Sequence, residues 1–273
     1  MLESILIPVI SLGDIAFVLG LCIVFVSKKF YVQEDPLLST VIDLLPGANC
    51  GGCGYPSCSQ FAAALVEKKD PSMVCPFGGP EIAQKIGSVL GIQMSETEPL
   101  VCTVRCHGTD NVAKVTANYH GIKDCWTVKI AFHGTKICPY GCLGLGSCIS
   151  ACDYGALSLK DGIINVNPDR CTGCGLCVDA CPQQVLEMQP REPWKYYVAC
   201  SSKDKGALTM KYCEVGCIGC KKCEKICPTD AIKVENFCAT IDQEKCSACG
   251  LCAEVCPTNS IVLTKDSRII KES

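Results

Sequence analysis

Aromatic residues make up only 6% of the chain, and the three histidines (His107, His120, His133) are scattered. The apolar fraction of 48% includes 27 cysteines and falls to about 38% without them, which argues against one large aliphatic core in 273 residues. The histidines form no metal or nucleophile constellation. No Gly-rich phosphate loop precedes a suitable helix, and no flavin motif is present. Gly141-Cys-Leu-Gly-Leu-Gly146 has a superficial likeness to a dinucleotide loop but is embedded among cysteines. The formal charge of −3 supplies no basic surplus for nucleic acid.

What the chain has instead is cysteine, about one residue in ten. An odd total leaves at least one thiol outside any disulfide scheme. Most cysteines also lie two or three residues apart, as in Cys171-x2-Cys174-x2-Cys177-x3-Cys181. Neighbours that close point into one pocket, which suits a metal and strains a disulfide. A reducing compartment follows for the bulk of the chain.

Residues 4 to 26 are almost wholly apolar apart from Asp14. As a helix they would reach about 34 Å, enough for a hydrocarbon core of about 30 Å. The first basic residues, Lys28 and Lys29, follow the run, whereas a signal peptide carries its charge before it. Cys22 follows Leu21, not the small residue of a lipoprotein site. The expectation is a single-pass anchor in the cell (inner) membrane, with residues 28 to 273 in the cytoplasm and Asp14 turned to a partner helix or polar cavity.

Next comes Cys50-x2-Cys53-x4-Cys58-x16-Cys75, followed by Pro76, with a helical stretch predicted over 60–69. Gly51, Gly52 and Gly54 let the backbone wrap closely and aim N–H groups at sulfur. Zinc sites use two separated Cys-x-x-Cys knuckles, so this asymmetric set points to a [4Fe–4S] cluster.

Subtracting positions exposes a duplication. Cys125, Cys138, Cys142, Cys148, Cys152, Cys171, Cys174, Cys177 and Cys181 recur 75 residues later at Cys200, Cys213, Cys217, Cys223, Cys227, Cys246, Cys249, Cys252 and Cys256. Each copy carries a strand-like segment, 162–166 and 238–241, before its second cysteine run. The second copy has the two-cluster bacterial ferredoxin pattern, in which the fourth Cys of each run serves the other cluster. One set is then Cys217, Cys220, Cys223 and Cys256; the other is Cys246, Cys249, Cys252 and Cys227. In the first copy Leu145 stands where Cys220 would align, and Asp153 replaces the usual Pro. Recruiting Cys138 gives Cys138, Cys142, Cys148 and Cys181, with Cys171, Cys174, Cys177 and Cys152 as its partner set. Five clusters are expected. Cys102, Cys106 and Cys125 are possible extra ligands that, with Cys138, could hold a sixth, and the two uses of Cys138 compete. Cys22, Cys200, Cys213 and Cys238 read as buried thiols or small hydrophobes.

Fully ligated clusters in series make an electron relay, with no complete active site on this chain. Each oxidised cluster with four thiolates carries about −2, so five bring the chain to about −13. Lys203, Lys205, Lys211, Lys221, Lys222 and Lys225 are candidates for docking an acidic electron carrier, or simply a solvated face.

The anchor ending Ser27-Lys-Lys-Phe30, the module Leu45-Pro-Gly-Ala-Asn-Cys-Gly-Gly-Cys-Gly-Tyr-Pro-Ser-Cys58 and the ferredoxin-type tail occur in that order. Together they resemble the B subunit of Rnf-type, ion-translocating ferredoxin:NAD oxidoreductase complexes, in a long form with two ferredoxin units. The resemblance implies electrons accepted from soluble ferredoxin and passed to membrane partners carrying flavin and Fe–S groups. Those partners would reduce NAD and move Na⁺ or H⁺. A membrane-tethered polyferredoxin serving a hydrogenase or other reductase is the alternative. A corrinoid iron–sulfur protein would need a large cobamide-binding domain, which is absent. The fold expected is α+β: an anchor with its flank (1–30), a small mainly helical cluster module (31–97) and a Cys-bearing connector (98–130). Two tandem ferredoxin-like domains complete it (131–192 and 193–273).

Overall fold

The computed structural model describes residues 2–29, 35–95 and 98–265, with the side chains of residues 2–12 outside that description. Helix α1 runs Leu2–Lys29. Its described apolar side chains, including Phe17, Leu21, Ile23 and Phe25, are all exposed, and Cys22 is exposed with them. Among the described residues no helix is long and apolar enough to cross a membrane. The part of the predicted span over 4–12 lies outside the described side chains, as does Phe30 at its end.

Three helices form the next module: α2 (Pro36–Leu44), α3 (Cys58–Lys68) and α4 (Gly79–Leu90). Asp35 caps α2 by accepting from Leu37 N, Ser57 caps α3 by accepting from Gln60 N, and Gly91 ends α4 at positive φ. Their apolar faces bury Val41, Leu45, Phe61, Leu65, Ile86 and Leu90 in one core. The predicted helix over 60–69 is α3, and it starts at a cluster-candidate cysteine.

The remainder is built from short pieces. Strand β1 (Leu100–Val104) and helix α5 (Cys125–Phe132) come first, then α6 (Ser147–Ser150), β2 (Leu157–Lys160), β3 (Ile163–Val166), α7 (Leu176–Asp179) and β4 (Leu186–Pro190). Strand β5 (Tyr196–Val198), α8 (Gly206–Tyr212), α9 (Lys222–Ile226), β6 (Ile232–Glu235), β7 (Cys238–Ile241), α10 (Leu251–Glu254) and β8 (Ile261–Leu263) follow. All the pairings are antiparallel: β2 with β3 and β1 with β4 in the first unit, β6 with β7 and β5 with β8 in the second. The hairpins fall on the predicted strand-like segments.

The expected connector is not a loose linker. Its β1 pairs along its whole length with β4, from Leu100 opposite Pro190 to Val104 opposite Leu186. The chain after β1 then crosses to the second unit. His107 N donates to Ala199 O, Lys114 N donates to Tyr212 O, and Glu214 N donates to Val112 O. These main-chain bonds stitch the two units together around residues 105–116.

Candidate iron–sulfur centres

One loop design recurs around the short cysteine runs. Within each short run the third cysteine sits in a four- or five-residue helix: Cys148 in α6, Cys177 in α7, Cys223 in α9 and Cys252 in α10. The residue before each helix is left-handed, and three of the four are glycine: Gly146, Gly175 and Gly250. Only a residue tolerant of positive φ can turn the loop that sharply.

In the N-terminal module Cys50, Cys53, Cys58 and Cys75 line one open space of about 380 Å³ beneath Leu45 and Phe61. Asn49, at positive φ, accepts from Cys58 N at 2.8 Å and so ties the first and third sulfur-bearing segments together. Burial pushes the Cys75 thiol up, and Cys53 and Cys50 add to the shift.

In the second ferredoxin-like unit Cys217, Cys220, Cys223 and Cys256 line another space, of about 350 Å³. Burial and then Cys217 push Cys223 up to about 11. Ser260 N donates to Cys256 Sγ at 3.3 Å. Cys246 and Cys249 face Cys252, which burial and these two neighbours push up to about 11. Cys227 lies in the same apolar cluster as Cys252. Cys220 and Cys249 are exposed, each at an outer edge.

The first unit departs from expectation. The space of about 330 Å³ that holds Cys142, Cys148 and Cys181 is completed by Cys125 and not by Cys138. Cys125 opens α5, where Asp124 caps the helix by accepting from Thr127 N at 2.7 Å. Ser147 Oγ donates to Asp124 and accepts from Cys125 N, locking the helix start onto the loop before Cys148. Leu145 packs against Cys125 and Val128. The expected set with Cys138 is therefore not the one brought together, because Cys138 leaves the first run on the opposite side.

Cys138 instead meets Cys106, Cys200 and Cys213 around a space of about 400 Å³ between the two units. Burial, then the neighbouring Cys106, Cys200 and Cys213, push Cys138 up to about 12. Burial, with Cys106 and Cys200 behind it, pushes Cys213 up to about 11. Lys136 is buried beside them, its Nζ donating to Gly108 O at 2.6 Å and Gly162 O at 2.8 Å. His107, walled in by burial, is held neutral with its pKa lowered to about 4. Cys200 and Cys213 were legible only as repeat partners of Cys125 and Cys138; no spacing signal marked them as ligands.

The two remaining buried thiols lie between neighbouring sets. Cys102 Sγ is 3.5 Å from Cys177 Sγ, and Cys102 N donates to Cys171 Sγ at 3.4 Å. The shared hydrogen lowers Cys177 and raises Cys102. Cys238 donates to Cys200 O at 3.3 Å and hydrogen-bonds the Cys217 sulfur, which lowers Cys217 to about 6.

Donor chemistry can be read from this arrangement. Among the described residues no three Cys, His, Asp or Glu side chains gather at the spacing of a single ion. The cysteines instead line shared spaces in sets of four, the donor set of a multi-iron core. Thiolates set face to face under burial repel one another unless a cationic core replaces their protons. All-thiolate sets of four are the ligand field of [4Fe–4S] clusters.

Comparison with known proteins agrees. A family profile for an Fe–S cluster module matches residues 45–77, a 4Fe-4S dicluster domain matches 140–185 and 170–231, and a 4Fe-4S binding domain matches 239–262. The chain is 47% identical to the B subunit of the ion-translocating oxidoreductase complex of Methanosarcina acetivorans, over 90% of this chain and 94% of that one. It is 41% identical to the B subunit of the Na(+)-translocating ferredoxin:NAD(+) oxidoreductase complex of Acetobacterium woodii, over 90% and 74%. Against the proton-translocating counterpart of Clostridium ljungdahlii it is 39% identical, over 90% and 87%.

Proposed function

Because the chain belongs to the B-subunit family of Rnf-type ion-translocating ferredoxin:NAD oxidoreductases, an electron-transfer family, we propose that it holds six [4Fe–4S] clusters in one unbroken row. The sets in order are Cys50, Cys53, Cys58 and Cys75; Cys152, Cys171, Cys174 and Cys177; Cys125, Cys142, Cys148 and Cys181. Then come Cys106, Cys138, Cys200 and Cys213; Cys217, Cys220, Cys223 and Cys256; and Cys227, Cys246, Cys249 and Cys252. The first ferredoxin-like unit begins at β1 in this reading.

The observation that carries the proposal is the four-cysteine space between the units. It has Cys106 beside Cys142 on one side and Cys200 joined through Cys238 to Cys217 on the other. Without ligands there, the two units would be separated by apolar protein. When bound, each cluster supplies one-electron uptake and release with no bond made or broken. The chain's own task is to hold the thiols deprotonated, keep water from them and keep neighbouring sets close.

The outer end of the row, at the exposed Cys220 and Cys249, is flanked by exposed Lys221, Lys222, Lys225 and Lys245 and is the surface for a soluble, acidic ferredoxin. The inner end is the helical module next to α1. The exposed apolar side chains of α1, followed by Lys28 and Lys29, support its role as a single-pass anchor with the clusters on the cytoplasmic side. Flavin, NAD and the translocated Na⁺ or H⁺ belong to partner subunits.

Anaerobic iron and sulfide quantification on the purified full chain tests the number. Six clusters require about 24 iron per chain, and about 20 would leave the inter-unit cysteines without a cluster.

A further inference from the structure

The N-terminal module and the first ferredoxin-like unit meet at their cysteines. Cys174, from the first unit, lines the same space as Cys50, Cys53, Cys58 and Cys75. Gly52 faces it: a Cβ built on Gly52 would stand 3.1 Å from Cys174 Cβ and 3.2 Å from its carbonyl oxygen. A side chain there would press on Cys174, which would have to give by a few tenths of an ångström. Phe77, two residues beyond Cys75, stacks on Tyr154, two residues beyond Cys152, with ring centroids 4.9 Å apart and planes 17° from parallel. The Tyr154 hydroxyl is buried and makes no hydrogen bond. Cys50 is its electrostatic neighbour across the junction. Cys50 and Cys174 are themselves electrostatic neighbours.

These contacts come from both sides and from three kinds of interaction: a missing side chain, a ring stack and an electrostatic pairing. None is needed for either unit's own core, which is closed by α2 to α4 on one side and by β1 to β4 on the other. We propose that Gly52, Phe77 and Tyr154 are positioning residues that dock the N-terminal module onto the first ferredoxin-like unit, so that the ligand shells around Cys50 and Cys174 touch. The inference rests on the reading of those two cysteines as cluster ligands. It adds which residues set their separation, and why a small residue at 52 favours the close approach.

Hydrogen–deuterium exchange on the cluster-loaded full chain tests it, with iron per chain measured on every sample. In the unaltered protein, segments 49–54 and 172–177 are expected to be protected together; free exchange of either overturns the docking. Gly52→Leu and Tyr154→Ala, acting from opposite sides, should each speed exchange in both segments by about tenfold or more at unchanged iron content. Tyr154→Phe keeps the ring stack and should restore protection. Wild-type protection in an iron-replete Gly52→Leu chain overturns the proposal. Ferredoxin-dependent NAD reduction by the unaltered complex reports separately on the functional reading, so the two can fail independently.

Discussion

Leu145 occupies the place in the first unit that Cys220 holds in the second, and that one difference redistributes four thiols. Cys125, the repeat partner of Cys200, reaches the corner where Leu145 has no sulfur to offer. Because Cys220 is present in the second unit, Cys200 is left to face Cys106, Cys138 and Cys213. On the proposed assignment Cys125→Ser and Cys138→Ser act on different clusters. Each should cost about four iron per chain and the double variant about eight. A double variant that loses only about four would return both residues to one site. Cys22→Ser should cost none. Lys136 brings a buried positive charge to the inter-unit thiols and to Cys142. Lys136→Met should shift a cluster potential to more negative values in an anaerobic redox titration. It should also destabilise the chain, since each carbonyl left without its donor costs about 1–3 kcal/mol.

The short elements show how little besides sulfur organises the ferredoxin-like units. Their strands are three to five residues long, and nearly half of the residues in the apolar clusters behind them are cysteines. The helical module differs: Val41, Phe61, Leu65, Ile86 and Leu90 close a core without any thiol being needed. Iron removal by a chelator should therefore unfold β1 to β8 while α2 to α4 persist. Far-UV circular dichroism should keep a helical signal, and exchange protection should survive only within 36–94. Helix α5 has a narrower part: its cap presents Cys125. Asp124→Ala removes the acceptor for Thr127 N and for Ser147 Oγ. It should loosen one cluster selectively, read as a fall towards about 20 iron with the remaining clusters intact.

Across the whole molecule charge and exposure give the proposed row of clusters two unlike ends. Six clusters would take the formal charge to about −15, so an acidic carrier is repelled except where lysines gather. Lys221, Lys222 and Lys225 gather beside the exposed Cys220. Replacing all three by Gln should raise the KM for ferredoxin and flatten its salt dependence while leaving iron content unchanged. An unaltered KM would move the docking surface elsewhere. The duplication, one strand of each hairpin, the helical module and the runs of closely spaced cysteines were all legible beforehand. Local spacing dictates them: three thiols within seven residues have one way to face a common centre. The inter-unit set was not legible, because Cys106, Cys138, Cys200 and Cys213 are brought together by main-chain bonds such as His107 N to Ala199 O and Glu214 N to Val112 O. The exchange of Cys138 for Cys125 depends on the direction in which α5 leaves its cap, which no spacing records. The sequence by itself determined the chemistry of the donors and the number of repeats, since thiol spacing acts through the nearest few residues. Which distant thiols share a site was decided only by tertiary structure, where backbone pairing between units brings together segments nearly a hundred residues apart.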